Sequence, residues 1–319
     1  MNYYFAPMEG ITGYIYRNAH HKFFPETDGY YSPFLVANHT KNFKSAEKKD
    51  VFPENNPEIR LVPQILTKDP QEFLWAALSM RDLGYGEVNL NLGCPMPTVY
   101  SKGKGAGFLK DPEGLDLFFA SLFREMNALP RERRVGISVK TRLGAESFDE
   151  EGKLLDIFAR YPFEKIIVHP RTGIQRYGGT ADRAAFGRAM EQLTCPVIYN
   201  GDILTVSDAE ELCAEFPEIS GIMIGRGLLA NPALVRMIRG GEALSKKELQ
   251  AFHDELVRNY TAALGSEKTV LKKMKELWAY LGRLFPENEK ERKDILKAQT
   301  MVSYKGAVRV LIGTGKLHQ

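Results

Sequence analysis

The residue with the sharpest chemistry in this chain is Cys94. It sits between Gly93 and Pro95, directly after an apolar run at 87–92, in the segment NLNLGCPMPTVYSKGKGAGFLKDP. Glycine and proline impose a tight turn. A thiol on such a turn serves as a nucleophile if ionised, or as a proton donor if not. Lys140 and His169 close two later apolar runs. A lysine so placed either stabilises negative charge at the N1/C2=O edge of a reduced flavin or forms a Schiff base with a sugar phosphate. Residue type leaves both open. Asn200-Gly201-Asp202 and Gly225-Arg226-Gly227 follow the last two runs. Their glycines let backbone N–H groups approach an anion and Arg226 adds charge, as a phosphate site requires. Cys195 precedes a strand-starting proline and Cys213 lies on an apolar helix face, so both read as packing thiols. The glycine-rich run at 103–107 follows a loop, not a strand, and is no dinucleotide fingerprint. It reads as a flexible or substrate-shaped loop beside Cys94.

These groups need elements to hold them on one rim. Eight short apolar runs recur, at 3–6, 29–32, 60–65, 87–92, 135–140, 165–169, 196–199 and 221–224. Several are apolar throughout, as in parallel strands covered on both faces. Helical stretches alternate with them. Asp69-Pro70 and Asp111-Pro112 give an N-cap followed by proline at the first helical position. Eight β/α units predict an α/β fold, a (β/α)8 TIM barrel with its site at the C-terminal strand ends. The second unit is the weakest, because residues 39–57 are polar and Lys/Asn-rich and read as a long loop with little helix. After Gly240-Gly241 the strand pattern stops. Residues 244–319 read as an all-helical domain with pieces near 246–263, 267–285, 288–299 and 301–312. The expected organisation is a catalytic barrel over 1–240 and a helical domain over 244–319.

Composition agrees. The chain has 319 residues, 44% apolar and 26% charged, which excludes disordered and fibrous classes. No run reaches the ~20 apolar residues of a membrane span, no secretory signal is evident, and three cysteines are too few for a disulfide framework. The expectation is a cytoplasmic protein, monomeric, without a metal site. Residues 1–243 carry 28 Lys+Arg against 31 Asp+Glu, whereas 244–319 carry 15 against 9. A basic tail domain on a near-neutral body suggests an anionic macromolecular partner.

Taken in order, the motifs resemble those of the flavin-dependent tRNA dihydrouridine synthases, in the bacterial branch with a compact helical C-terminal domain. The matching residues are Ala6-Pro7-Met8-Glu9-Gly10 with Thr12 and Arg17, Gln64-Ile65, Asn91-Leu92-Gly93-Cys94-Pro95 with Val99 and Gly105-Ala106, Val139–Gly144, Val168–Thr172, Val197–Asp202 and Gly225–Gly227. The likeness runs from residue 3 to about residue 235, and more loosely through 272–285 and 312–317. It implies FMN, with NADPH as reductant and tRNA as substrate. Pro7, Met8 and Glu9 would lie at the flavin ring edge, with Gln64 near its pyrimidine part. Lys140 and His169 would contact the ring or ribityl chain, and Asn200, Gly201, Asp202, Gly225 and Arg226 the phosphate. Cys94 would be the general acid. Asn91, Arg142 and Arg171 would border the uracil, and the basic helical domain would grip tRNA. Pro170 departs from the glycine usual in the family, and Met96-Pro97-Thr98 from its polar or basic loop. Three rivals stand beside this reading: an FMN reductase of a free dihydropyrimidine or enoate, a flavin-free aldolase using Lys140, and an RNA-binding protein on an inactive barrel.

Overall fold

The computed structural model describes residues 1–319. Its strands are β1 (Asn2–Phe5), β2 (Gly29–Tyr31), β3 (Leu35–Val36), β4 (Leu61–Val62), β5 (Gln64–Leu66), β6 (Glu87–Leu92), β7 (Gly136–Arg142), β8 (Ile166–His169), β9 (Val197–Tyr199) and β10 (Gly221–Ile224). All pairings are parallel, in the order β3-β5-β6-β7-β8-β9-β10-β1-β2-β4. The expected single strand at 60–65 is split, because Pro63 has no N–H to give to a ladder. Its halves are chain neighbours: β4 pairs with β2 and β5 with β6. The ring of eight staves therefore closes through the covalent chain at Pro63. β3 is an added two-residue piece that prolongs the second stave.

Two apolar clusters fill this architecture. One of 78 buried residues lies mainly between the staves and their helices, and it continues without a break into the C-terminal helices. The other holds seven side chains, among them Tyr4, Tyr31, Ile167, Ile198 and Met223, one from each of five staves. It forms the apolar part of the barrel lumen. The connecting helices start as their caps predict. Asp69 accepts from the N–H groups of Gln71 and Glu72 at 2.8 and 2.9 Å, and Asp111 accepts from Gly114 at 2.9 Å.

The segment 39–57 is not simply a loop. It holds a helix, Ser45–Val51, whose buried contribution is Val51 alone. So little apolar surface leaves no periodic signal. What anchors it is polar. Arg17, fully buried, donates to the carboxylate and carbonyl of Asp50 at 3.0 and 2.6 Å, to Asn56 Oδ1 at 2.9 Å and to Thr12 O at 2.8 Å. The Thr12 hydroxyl accepts the Met8 N–H at 2.8 Å. The segment thus braces the loop that carries Pro7, Met8 and Glu9.

After Gly240 the chain forms the helices Lys246–Leu264, Glu267–Leu281, Glu289–Lys297 and Met301–Thr314. They are tied to the barrel's first helix by Phe252, whose ring lies 5.3–5.9 Å from those of Tyr16, Phe23 and Phe24. Arg236 grips Glu248 with two bonds of 2.6 and 2.8 Å. No helix is long and apolar enough to cross a membrane.

Candidate active site

A cavity of about 340 Å³ opens at the C-terminal ends of the staves. It is lined by Pro7, Met8, Glu9, Gln64, Asn91, Cys94, Lys140, Arg142, His169, Asn200, Gly201, Asp202, Gly225 and Arg226. Parallel register brings these about: Asn91 stands beside Lys140, and Arg142 beside His169. Of the expected site residues only Arg171 does not reach the cavity.

Cys94 is half-buried on its turn. Burial pushes its thiol pKa up, opposed by the Met96 backbone and the nearby Arg142 and Lys140. The protonated form is the resting one, suited to donate rather than attack. The turn is held from two sides. Asn91 Oδ1 accepts the N–H groups of Gly93 and Cys94 at 3.1 and 2.9 Å. The Cys94 carbonyl accepts the Ala106 N–H at 3.0 Å. Gly105, at φ +57°, lies so close that a Cβ there would stand 2.7 Å from that carbonyl. The second half of the glycine-rich run, from Gly105, therefore opens a buried 3₁₀ turn that backs Cys94, and its glycines serve close packing.

Asn91 and Arg142, expected at a substrate base, are also structural struts. Asn91 Nδ2 donates to Gln64 Oε1 at 2.7 Å. Arg142 donates to the carbonyls of Gly93, Thr172 and Arg176 at 2.7–2.9 Å. Two of its five N–H groups remain for a ligand. Burial lowers its pKa to about 10, so it stays charged at neutral pH.

Arg171 is 1% exposed, and its surroundings correct the expectation of substrate contact. It donates to Asp202 Oδ1 at 3.1 Å and Oδ2 at 2.5 Å, to the carbonyls of Gly178 and Gly179 at 3.2 and 2.7 Å, and to His169 Nε2 at 3.0 Å. All five of its N–H groups are used. Because guanidinium only donates, His169 Nε2 must be an acceptor, which places the ring proton on Nδ1. Burial and four surrounding cations hold the His169 pKa well below its usual value, so the ring is neutral. Asp202 lines the cavity and belongs to the same network. Its carboxylate also accepts from Arg226 at 2.7 Å and from the Ala181 N–H at 3.0 Å. These bonds draw its pKa down against the cost of burial. It aims Arg226. Asn200 is fixed by donation to Met223 O at 2.7 Å.

Lys140 has no such partner. Burial, then Arg142, lowers its pKa to about 7. Pro33 and Phe34, which follow the second apolar run on the same rim, also line the cavity, and so do Tyr177 and Tyr280, which the sequence reading missed. The Tyr177 ring lies 5.2 Å from the Arg226 guanidinium and 5.9 Å from that of Arg142. Tyr280 belongs to the C-terminal helix Glu267–Leu281, and Lys273 of the same helix donates to the Gly10 carbonyl. Both lie in the stretch 272–285 where the family likeness is loose, and the fold shows what they contact.

Solved structures similar to this chain share its fold at low identity. Morphinone reductase superposes with a TM-score of 0.53 at 11% identity, covering 77% of this chain and 87% of its own. Histamine dehydrogenase from Rhizobium sp. 4-9 gives 0.53 at 9% identity, over 79% of this chain and 46% of its own. These likenesses concern the fold. Among curated relatives, a tRNA-dihydrouridine(16) synthase of Shigella flexneri is 34% identical over 56% of this chain and 55% of its own length. The chain thus spans about half the length of the first curated relatives it matches. The Pseudomonas syringae enzyme of the same name is 31% identical over 74% of each chain. The dihydrouridine synthase family model matches residues 4–309, a span that takes in every stave from β2 to β10, the Cys94 turn and most of the C-terminal helices. With barrel, rim and sequence in agreement over nearly its whole length, the chain belongs to the dihydrouridine synthase family.

Proposed function

We propose that this chain is a tRNA dihydrouridine synthase that reduces the C5–C6 double bond of a D-loop uridine, using FMN and NADPH. The observation that carries the reading is a protonated thiol, Cys94, on the rim of a cavity whose facing wall is cationic. The donor set fits FMN. Lys140 has no partner in the chain and can meet the electron-rich edge of the ring. His169 keeps an Nδ1–H to offer. Arg226 and the first amides after Gly225 suit a terminal phosphate.

When bound, the flavin supplies hydride to C6 of the uracil. The chain's own groups do the rest. The Cys94 thiol delivers the proton to C5. The unused N–H groups of Arg142 hold a uracil carbonyl. Asp202 and Arg171 keep Arg226 and His169 in place. The uridine must leave its tertiary packing to enter the cavity. On this reading residues 1–240 do the chemistry and the basic residues 244–319 grip the phosphate backbone, so affinity falls as salt rises. The relatives' names make position 16 the first uridine to examine.

The test starts with the visible spectrum of the purified protein and mass identification of what heat releases. It continues with incubation on an unmodified tRNA transcript plus NADPH. Released FMN and dihydrouridine at one D-loop position are expected. Product only from a free pyrimidine, or a colourless protein that takes up no added FMN, overturns the reading.

A further inference from the structure

The part of the lumen on the strand that leads to Cys94, and on its two neighbours, is not apolar. Gln64, Asn89 and Ser138 are fully buried and Asn91 nearly so. They sit on three neighbouring staves, with Gln64 beside Asn89 and Asn89 beside Ser138 in register. Barrel lumens are ordinarily filled by branched apolar residues, and a buried amide is costly unless fully bonded. Here each amide bonds the next. Asn91 Nδ2 donates to Gln64 Oε1 at 2.7 Å, Gln64 Nε2 to Asn89 Oδ1 at 2.8 Å, and Asn89 Nδ2 to Ser138 Oγ at 2.9 Å. The Ser138 hydroxyl ends the chain on Val88 O at 3.4 Å.

The direction of this chain is fixed at one end. The N–H groups of Gly93 and Cys94 can only donate, so Asn91 must turn its oxygen to them. Its nitrogen then faces Gln64, which must present oxygen, and so on to Ser138. Turning any one amide over would set donor against donor along the line.

We propose that Asn89 and Ser138 are positioning residues that fix the Cys94 turn at a distance, by holding the amide orientation of Gln64 and Asn91. Neither lines the cavity. Cutting the chain at Asn89 frees Gln64 to turn, which lets Asn91 release the Cys94 amide and makes the thiol more accessible. The part of the proposal that concerns turnover rests on the function proposed above; the part that concerns thiol accessibility does not.

The test uses the full-length protein as wild type, Asn89→Leu, Ser138→Ala and the double variant. Iodoacetamide alkylation at fixed pH is followed peptide by peptide, with Cys195 as internal reference. Cys94 is expected to alkylate about threefold or more faster in Asn89→Leu, with Cys195 unchanged. The double variant should match Asn89→Leu alone, since the line is already cut. On an unmodified tRNA transcript kcat should fall about tenfold with KM unchanged, the pattern of a lost transition-state interaction. Unchanged Cys94 alkylation in folded Asn89→Leu, or additive effects in the double variant, overturns the proposal. If Asn89→Leu does not fold, Ser138→Ala is read against the same criteria, with a smaller effect in the same direction expected. A wild type that forms no dihydrouridine overturns the proposed function, and the alkylation result still decides the amide chain.

Discussion

The two walls of the cavity solve the problem of buried polarity in opposite ways. The wall around Cys94 is built mainly from neutral amides, each bonded to the next, with the Arg142 guanidinium at its edge. The wall around His169 and Arg226 is built from charges, with Asp202 shared between two guanidiniums. A neutral wall leaves the thiol protonated, because the neighbouring cations only partly oppose the effect of burial. A charged wall with one carboxylate among several cations keeps a surplus of positive charge and forces the histidine neutral. A protonated thiol and a cationic surface therefore share one small cavity.

The strongest way to break this contrast is Cys94→Ala. Under the proposed function it removes the proton donor and leaves the charged wall whole, so dihydrouridine formation on tRNA should fall by about 10²–10⁴-fold. FMN content, read by absorbance, should not change. On the other wall, Arg171→Met strips Asp202 of one guanidinium and leaves the His169 tautomer unassigned. Because Arg171 is buried and Asp202 retains Arg226, the loss should be about 3 kcal/mol in urea unfolding. A variant as stable as the wild type would show that the charged wall is not interdependent.

Lys140 sharpens the comparison through pH. Its pKa falls from an ordinary lysine value to about 7 in the folded, ligand-free protein. Between pH 7 and the unfolded value near 10.4 the unfolded chain binds the extra proton, so stability rises with pH across that window. The melting temperature of flavin-free protein should climb from pH 7 toward 10, and Lys140→Met should lose that component of the slope. The smallest effect belongs to Tyr177, whose ring touches a guanidinium of each wall. Tyr177→Leu should cost about 0.5–1 kcal/mol, the range of a partly exposed cation–π contact, measured by thermal unfolding.

The staves were legible because strands covered on both faces are apolar along their length, and the rim residues because each ends such a run. Asp69 and Asp111 announced their helices by local chemistry alone. What stayed hidden depended on partners far along the chain. The helix Ser45–Val51 buries one side chain and is held by Arg17, so periodicity had nothing to register. Arg171 reads as a free cation until the carbonyls of Gly178 and Gly179 are seen closing on it. Asn89 lies two residues before Asn91 and reads as one more strand position; only register shows what it bonds. The break at Pro63 was visible as a proline, but not the fact that its two sides pair with different neighbours.

Tyr280, which completes the cavity, and Lys273, which holds the Gly10 carbonyl, come from a helix that begins at Glu267. During synthesis the chain is made from its N-terminus, and domains tend to fold as they emerge. The barrel staves are all available by Ile224, yet the cavity lacks part of its wall until some fifty further residues have left the ribosome. An early-folded barrel would thus present a cationic mouth open on the side that Tyr280 later covers.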